Sequence, residues 1–219
     1  MLSHSGKRVL TTEFVDAQSF QVFCASATQE ARNRAGLNIF NHTMNAIFRH
    51  CYFNGDPHPG NYLFHTDGTV TFLDFGCVKK FEIDFISRWK AMAKTILEQR
   101  KDENLQATDA LGLIGKLDKF DHDFHWEMMN HVYGPFLTDE PFTFTHAHNS
   151  RTNDYMLWEN KNRFSSSMPA DFLFINRLQW GLAAVMADLE AQNLYARPFK
   201  EAVYAQSIPL FAWRGQASI

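Results

Sequence analysis

Residues 54–76 have the sequence NGDPHPGNYLFHTDGTVTFLDFG, which differs in character from the rest of the chain. A loop rich in proline and glycine contains Asp56 and Asn61, and a second carboxylate, Asp74, stands near the end of the stretch. Two short apolar runs, 62–64 and 69–73, flank the sequence HTDG, which predicts the turn of a β-hairpin with Gly68 free to take a positive φ. The hairpin would make Asn61, which leads into its first strand, a neighbour of Asp74, which leaves its second strand.

This arrangement indicates phosphoryl chemistry. Mg²⁺ prefers hard oxygen ligands and is usually held by one or two carboxylates together with phosphates and water. Asn61 and Asp74 would supply such oxygens. Asp56 lies five residues before Asn61 in a loop stiffened by Pro57 and Pro59, where its carboxylate could face the metal without binding it. A base or hydroxyl-orienting group is expected at that place.

The sequence on both sides of the hairpin is predominantly helical. Apolar residues recur at helical spacing over 28–50 and predict a long amphipathic helix, whereas RVLTTEFV at 8–15 predicts a strand. Further helices are predicted at about 83–100, 103–115, 121–137, 151–163, 169–191 and 198–212. The fold class that follows is mainly α with a small β-hairpin (α+β), in a single domain over 1–219.

Composition excludes several classes of protein. The 219 residues are 45% hydrophobic and 21% charged, a balance typical of globular domains, and 21 phenylalanines predict an aromatic core. A net charge of −3 with scattered basic residues argues against nucleic acid as a partner. Three cysteines without a CxxC pair indicate free thiols. Because no run of about eighteen apolar residues occurs, the expected location is cytoplasmic.

An aspartate, four residues, an asparagine, a hairpin and then Asp-Phe-Gly is the order found in protein kinases. The particular sequences GDPHPGN and LDFG resemble the UbiB-type atypical kinases, also called the AarF family. The resemblance extends outward, because RVLTTEFV is similar to the hinge strand of that family. MPADFLFINRLQWGLAAVMADLEA, residues 168–191, is similar to its late helix, with an arginine near the position of Arg177.

The resemblance implies the C-terminal lobe of a kinase-like fold, with the N-lobe absent from this sequence. Residues 1–15 would be a hinge-like strand, 16–51 helices, 52–76 the catalytic loop, hairpin and Asp-Phe-Gly, and 77–219 a helical remainder. Asp56 and His58 would be catalytic residues. Asn61 and Asp74 would bind Mg²⁺ and ATP or ADP.

The resemblance also implies an atypical kinase or ATPase, a transferase linked to ubiquinone or other isoprenoid-lipid metabolism. Isoprenoid lipids or lipid-synthesis proteins are then expected partners, as is an N-lobe supplied by another chain. Peripheral association with the inner membrane is the alternative to a purely cytoplasmic location. Asn54 and Gly55 replace the usual His-Ala of the family, so any role of that histidine is missing here.

Two other functions fit the same residues. Small-molecule phosphotransferases of the aminoglycoside or choline type also place a Gly-Asp, an asparagine and an aspartate around a hairpin. A non-catalytic scaffold is the third interpretation. Two side chains near the motif are given structural roles, Arg177 as a buried ion-pair partner and Cys77 as a small packed residue. Five histidines of the second half fit no strong metal-binding spacing: His122, His125, His131, His146 and His148.

Overall fold

The computed structural model describes residues 4–209, and within that range the chain is mainly helical. The helices are α1 Phe20–Ser26, α2 Gln29–Phe48, α3 Ile83–Leu97, α4 Lys101–Ala110, α5 His122–Tyr133, α6 His146–Asn153, α7 Ala170–Leu189 and α8 Ala196–Tyr204. The strands are β1 Tyr52–Asn54, β2 Tyr62–Phe64, β3 Val70–Phe72, β4 Val78–Lys80, β5 Phe142–Thr143 and β6 Gln192–Asn193. They form three antiparallel pairs, β1 with β4, β2 with β3 and β5 with β6. The predicted fold class is confirmed.

Helix α2 organises the core. The Thr28 side chain accepts a hydrogen bond from the Ala31 amide and so satisfies a free donor at the helix start. From there a buried face runs through Ala35 and Ile39 to Phe48. Aromatic side chains fill the space between helices, with the rings of Phe136 and Phe199 stacked at 4.1 Å and those of Phe23 and Phe64 at 4.8 Å. The predicted aromatic core is therefore confirmed.

The hairpin has the predicted position and turn. β2 pairs with β3 through Tyr62↔Phe72, Leu63↔Thr71 and Phe64↔Val70. Gly68 has φ +84 and closes the turn by donating its amide proton to the His65 carbonyl at 2.9 Å. Gly68 also lies directly against α2, because a Cβ at this position would come within 2.4 Å of the Ala31 carbonyl oxygen. The turn thus fixes the hairpin onto the central helix.

The predicted strand over 8–15 is wrong. The described part of this segment has only an isolated bridge between Gly6 and Val9. Leu10 is 82% exposed and Phe14 90% exposed. A strand requires a neighbour that takes up its backbone hydrogen bonds, and no strand among residues 4–209 lies beside this one.

Several helix boundaries also differ from the prediction. α4 stops at Ala110 because the chain turns at Gly112, which has φ +84. The helix predicted over 151–163 begins at His146, where Thr145 caps it, and continues as a π-helical turn over Asp154–Trp158. α8 ends at Tyr204, and the end of the helix predicted over 198–212 lies outside the described residues.

Candidate nucleotide and metal site

Two strand pairs bring the ends of the motif together. β1 pairs with β4 through Asn54↔Val78, and the Gly55 amide donates to the Cys77 carbonyl at 2.7 Å. The Leu73 amide donates to the Asn61 carbonyl at 2.9 Å, so the residue before Asp74 lies beside Asn61. The loop that carries Asp56 therefore starts and ends next to the Asp-Phe-Gly segment.

Asp56 and Asn61 are in direct contact. Asn61 Nδ2 donates to Asp56 Oδ2 at 3.0 Å and to the Asp56 carbonyl at 3.1 Å. The Asn61 amide also donates to the His58 carbonyl at 2.9 Å, which closes the loop into a short 3-10 turn over Pro59–Asn61. Within residues 4–209 the other side-chain atom of Asn61, Oδ1, accepts no hydrogen bond and is available as an oxygen ligand.

Asp74 accepts hydrogen bonds at one carboxylate oxygen and at its backbone carbonyl. The Gly76 amide donates to Asp74 Oδ1 at 2.6 Å, and Asn54 Nδ2 donates to the Asp74 carbonyl at 2.5 Å. Oδ2 accepts no hydrogen bond in the part of the chain that the structure describes. Asp74 is exposed, so its carboxylate is accessible from solvent. Asn54, which departs from the family pattern, thus has a role that the sequence did not indicate.

His58 is exposed and braces the loop. Its Nδ1 accepts a hydrogen bond from the Gly60 amide at 3.0 Å. A ring nitrogen that accepts cannot carry the proton, so this bond places the proton of the neutral ring on Nε2. No hydrogen bond joins His58 to the side chain of Asp56, Asn61 or Asp74 among the residues described.

Helix α7 packs on the loop that carries Asp56. A Cβ at Gly181 would lie 2.2 Å from Pro57 Cγ, which shows how closely the α7 backbone approaches the proline ring of the loop. One turn earlier, an Arg177 guanidinium nitrogen lies 3.9 Å from Asp56 Oδ1. The ion pair predicted for Arg177 is present, but the prediction of burial is wrong, because its side chain is 66% exposed. The apolar pattern did not require that Arg177 be buried, because the apolar residues Leu173, Phe174 and Trp180 of the same helix are exposed as well.

Two other features of the motif surroundings concern Cys77 and Tyr62. Cys77 is exposed, so the prediction of a packed residue is wrong; its backbone, and not its side chain, is used in the pairing with Gly55. Burial, and secondarily the negative charge of Asp56, raises the pKa of the Tyr62 phenol to about 12. Tyr62 is therefore a neutral hydroxyl beside the loop over the physiological pH range.

Gly181→Ala is expected to destabilise the chain by about 1–3 kcal/mol, since the added methyl overlaps a rigid proline ring. The loss should appear although alanine favours a helix by about 1 kcal/mol over glycine. Chemical denaturation measures the stability, and hydrogen exchange at the Asn61 amide reports on the loop. Ala184→Gly, the reverse change at an exposed position of the same helix, measures the difference in helix propensity alone. Unchanged exchange at Asn61 in Gly181→Ala would show that α7 does not hold the loop.

Side chains that could bind a metal do not form clusters of three or more in the part of the chain that the structure describes. Over residues 4–209 no group of three or more His, Cys, Asp or Glu side chains could hold a metal ion. Mg²⁺ requires few protein ligands because phosphates and water complete its shell. The unengaged oxygens of Asn61 and Asp74 fit that requirement.

Comparison with known proteins gives a family match that includes the motif. Residues 1–108 match the family model of the ABC1 atypical kinase-like domain. Residues 1–108 thus belong to this UbiB-type atypical kinase family. The match includes the loop, the hairpin and the Asp-Phe-Gly of the ABC1 motif described above.

Curated relatives of this ABC1 chain are distant. Over 123 residues it is 25% identical to the mitochondrial atypical kinase COQ8B of Rattus norvegicus. The aligned region covers 55% of this chain and 23% of that protein. It is 30% identical over 78 residues to the chloroplastic protein ACTIVITY OF BC1 COMPLEX KINASE 3 of Arabidopsis thaliana, with 35% of this chain and 11% of that protein covered. The chain thus spans less than a quarter of the length of these curated relatives.

A solved structure has the same fold as the ABC1 chain. It is that of Rv3197 from Mycobacterium tuberculosis in complex with erythromycin. The TM-score is 0.72 at 22% identity, and the match covers 91% of this chain and 49% of that one. The similarity confirms a kinase-like fold that corresponds to a C-lobe. No helix within residues 4–209 is long and apolar enough to cross a membrane.

Proposed function

We propose that the hairpin site binds Mg²⁺ together with ATP or ADP and supports phosphoryl transfer or ATP hydrolysis. Asn61 and Asp74 would hold the metal, and Asp56 would orient an acceptor hydroxyl or a water molecule. When bound, the metal would neutralise charge on the phosphates. The protein's own contribution is positioning: Asn61 holds the Asp56 carboxylate, and Asn54 and Gly76 hold Asp74.

One observation carries the proposal. Asn61 Nδ2 donates to the Asp56 carboxylate, and Asn54 Nδ2, just before the loop, donates to the Asp74 backbone carbonyl. A set of independent turn caps would not require hydrogen bonds that join the loop to the Asp-Phe-Gly segment. The family membership supports the same roles, because the matched region contains all of them.

His58 is proposed as a second catalytic residue. It stands two residues after Asp56, where ordinary protein kinases carry a lysine that faces the γ-phosphate. The hydrogen bond at Nδ1 leaves Nε2–H as a donor for a phosphate oxygen.

The face around Asp74 is proposed to be covered by an N-lobe, in a longer polypeptide or from another chain. Leu73 is 50% exposed and Phe75 52% exposed, next to the exposed Val78. Exposed apolar side chains grouped on one face are typical of an interaction surface. The links to ubiquinone or isoprenoid-lipid metabolism, and to peripheral membrane association, are part of the proposal and are supported by the family resemblance.

The proposal predicts magnesium-dependent nucleotide binding that requires Asp74. In calorimetric titrations of Mg-ADP and Mg-ATP, Asp74→Asn is expected to weaken binding at least about tenfold, which corresponds to about 1.4 kcal/mol. Asp67→Asn is the matched control, because Asp67 caps the hairpin turn through Thr69 and is remote from the motif ends. Nucleotide binding that is absent, independent of Mg²⁺, or equal in Asp74→Asn and the wild-type chain would contradict the proposed site.

A further inference from the structure

A cavity of about 370 Å³ lies among α2, α5, α6 and α7. The cavity is open to solvent, since His146, Ser150 and Trp180 in its wall are exposed, and its volume lies in the range of small-molecule pockets, which begins at about 300 Å³. Most of the wall is apolar or aromatic, with contributions from Phe40, Phe48, Trp89, Val132, Met186 and Phe199. Neither Asp56, Asn61 nor Asp74 lines it, so it is distinct from the hairpin site.

The cavity wall has almost no charge. Among residues 4–209, no lysine, arginine, aspartate or glutamate side chain lines it. Burial, and secondarily the charge of His131, lowers the pKa of His148 to about 4, so this lining histidine is neutral at pH 7. The other lining histidine, His146, bonds through Nε2 to Asp188 Oδ1 at 3.0 Å. A charged ligand would lose its hydration in the cavity without finding an opposite charge, which is costly.

Two amide side chains in the wall have hydrogen-bonding capacity to spare. Gln179 on α7 and Asn153 on α6 line the cavity, and neither side chain makes a hydrogen bond within the described part of the chain. Asn149, by contrast, is used structurally, since its Nδ2 donates to the Ala183 carbonyl at 2.9 Å. An amide offers both a donor and an acceptor, which suits a hydroxyl or a carbonyl.

A backbone irregularity also contributes to the cavity wall. The π-helical turn over Asp154–Trp158 contributes Met156 to the wall. Such turns are rare and are found frequently at functional sites. The turn is an observation independent of the cavity itself, and it lies directly after the helix that supplies Asn153.

We propose that this cavity binds an uncharged, mainly aliphatic small molecule that carries one hydroxyl or carbonyl group. A cavity of about 150 Å³ accommodates benzene, so simple scaling gives a ligand on the order of fifteen non-hydrogen atoms. The apolar body would lie against the aromatic wall, and the polar group would bond to Gln179 or Asn153. The inference goes beyond the proposed nucleotide site and does not depend on it.

The experiment uses Trp89 and Trp180, which both line the cavity, as reporters. We expect ω-bromodecanol, whose bromine quenches tryptophan fluorescence, to quench the chain saturably below its own solubility limit. ω-Bromodecanoate and ω-bromodecylammonium, with the same chain and quencher, are expected to bind at least about tenfold more weakly, because each carries a charge. Equal binding of the three probes, or quenching by the alcohol that never saturates, would overturn the proposal.

Two variants locate the binding. Ala183→Phe fills the cavity and should abolish saturable quenching, whereas Ala170→Phe, an exposed position of the same helix outside the wall, should leave it unchanged. Circular dichroism confirms that each variant is folded. If Ala183→Phe does not fold, the double variant Gln179→Leu/Asn153→Leu decides: it should weaken the alcohol several-fold but not ω-bromodecane, which lacks the hydroxyl. Undiminished binding of the alcohol in the folded Ala183→Phe chain, or in the double variant, would place the ligand elsewhere.

Discussion

Gly68→Ala is expected to lower the free energy of unfolding by about 3 kcal/mol, through two separate costs. Gly68 has φ +84, in the left-handed region that costs an L-residue about 1–2 kcal/mol. A Cβ would also lie 2.4 Å from the Ala31 carbonyl oxygen and 2.9 Å from Arg34 Cβ. The Ala31 carbonyl belongs to the backbone of the central helix, so a side-chain rotation cannot relieve the clash. Overpacking of this kind costs about 1–3 kcal/mol.

The consequence reaches the candidate site. Gly68 joins the hairpin to α2, and its carbonyl also accepts from Asn38 Nδ2 at 3.1 Å. Asn61 and Asp74 lie at the opposite end of the two strands that meet at this turn. Moving the turn away from α2 would therefore tilt both candidate metal ligands, and nucleotide affinity should fall together with stability.

Two other glycines separate the cost of the positive φ from the cost of the clash with α2. Gly112 has the same φ of +84, but its Cβ would meet only Pro169 Cγ at 3.3 Å, so Gly112→Ala should cost about 1–2 kcal/mol. Gly134 would have nothing within 4 Å and has φ −45, so Gly134→Ala should be nearly neutral. Denaturant unfolding gives the three values. If Gly68→Ala is no worse than Gly112→Ala, the hairpin does not press on α2 as described.

Sequence reasoning succeeded where the information was local. The hairpin was predictable because Gly68 stands at the end of a four-residue turn between two β-branched or aromatic runs. The helix over α2 was predictable because apolar residues recur at helical spacing. The order of Asp56, Asn61 and Asp74 around a hairpin was sufficient to predict that the three residues would lie near one another.

Non-local contacts were not predictable. β1 and β4 are three residues each, and their pairing joins Asn54 to Val78 across the motif. Neither strand has an alternating pattern long enough to be recognised. The contact of Gly181 with Pro57 also depends on how α7 crosses the loop, and a glycine inside a predicted helix gives no sign of its partner. The strand predicted at 8–15 shows the converse error, because β-branched residues indicate a strand only when a neighbour exists to pair with it.

Stability is expected to rise by about 3 kcal/mol between pH 8 and pH 10.5 through Lys90 alone. Lys90 is only 6% exposed, and burial lowers its pKa from 10.5 to about 8. Between these two values the unfolded chain binds the proton and the folded chain does not, so raising the pH favours the folded state. Lys90 Nζ donates to the Ala205 carbonyl and to Ser207 Oγ, both at 2.7 Å, and a neutral amine can still donate.

Lys90→Met should remove this rise, whereas Lys116→Met, at an exposed position, should retain it. Denaturant unfolding at half-unit pH steps measures both. Buried tyrosines oppose the trend, because a phenol such as Tyr133, with its pKa raised to about 12 by burial, loses its stabilising contribution as the pH rises from 10 to 12. These contributions are common to all three chains, so the difference between the wild-type and Lys90→Met curves isolates Lys90. A difference that stays constant from pH 7 to pH 10.5 would mean that water reaches the Lys90 ammonium in the folded chain.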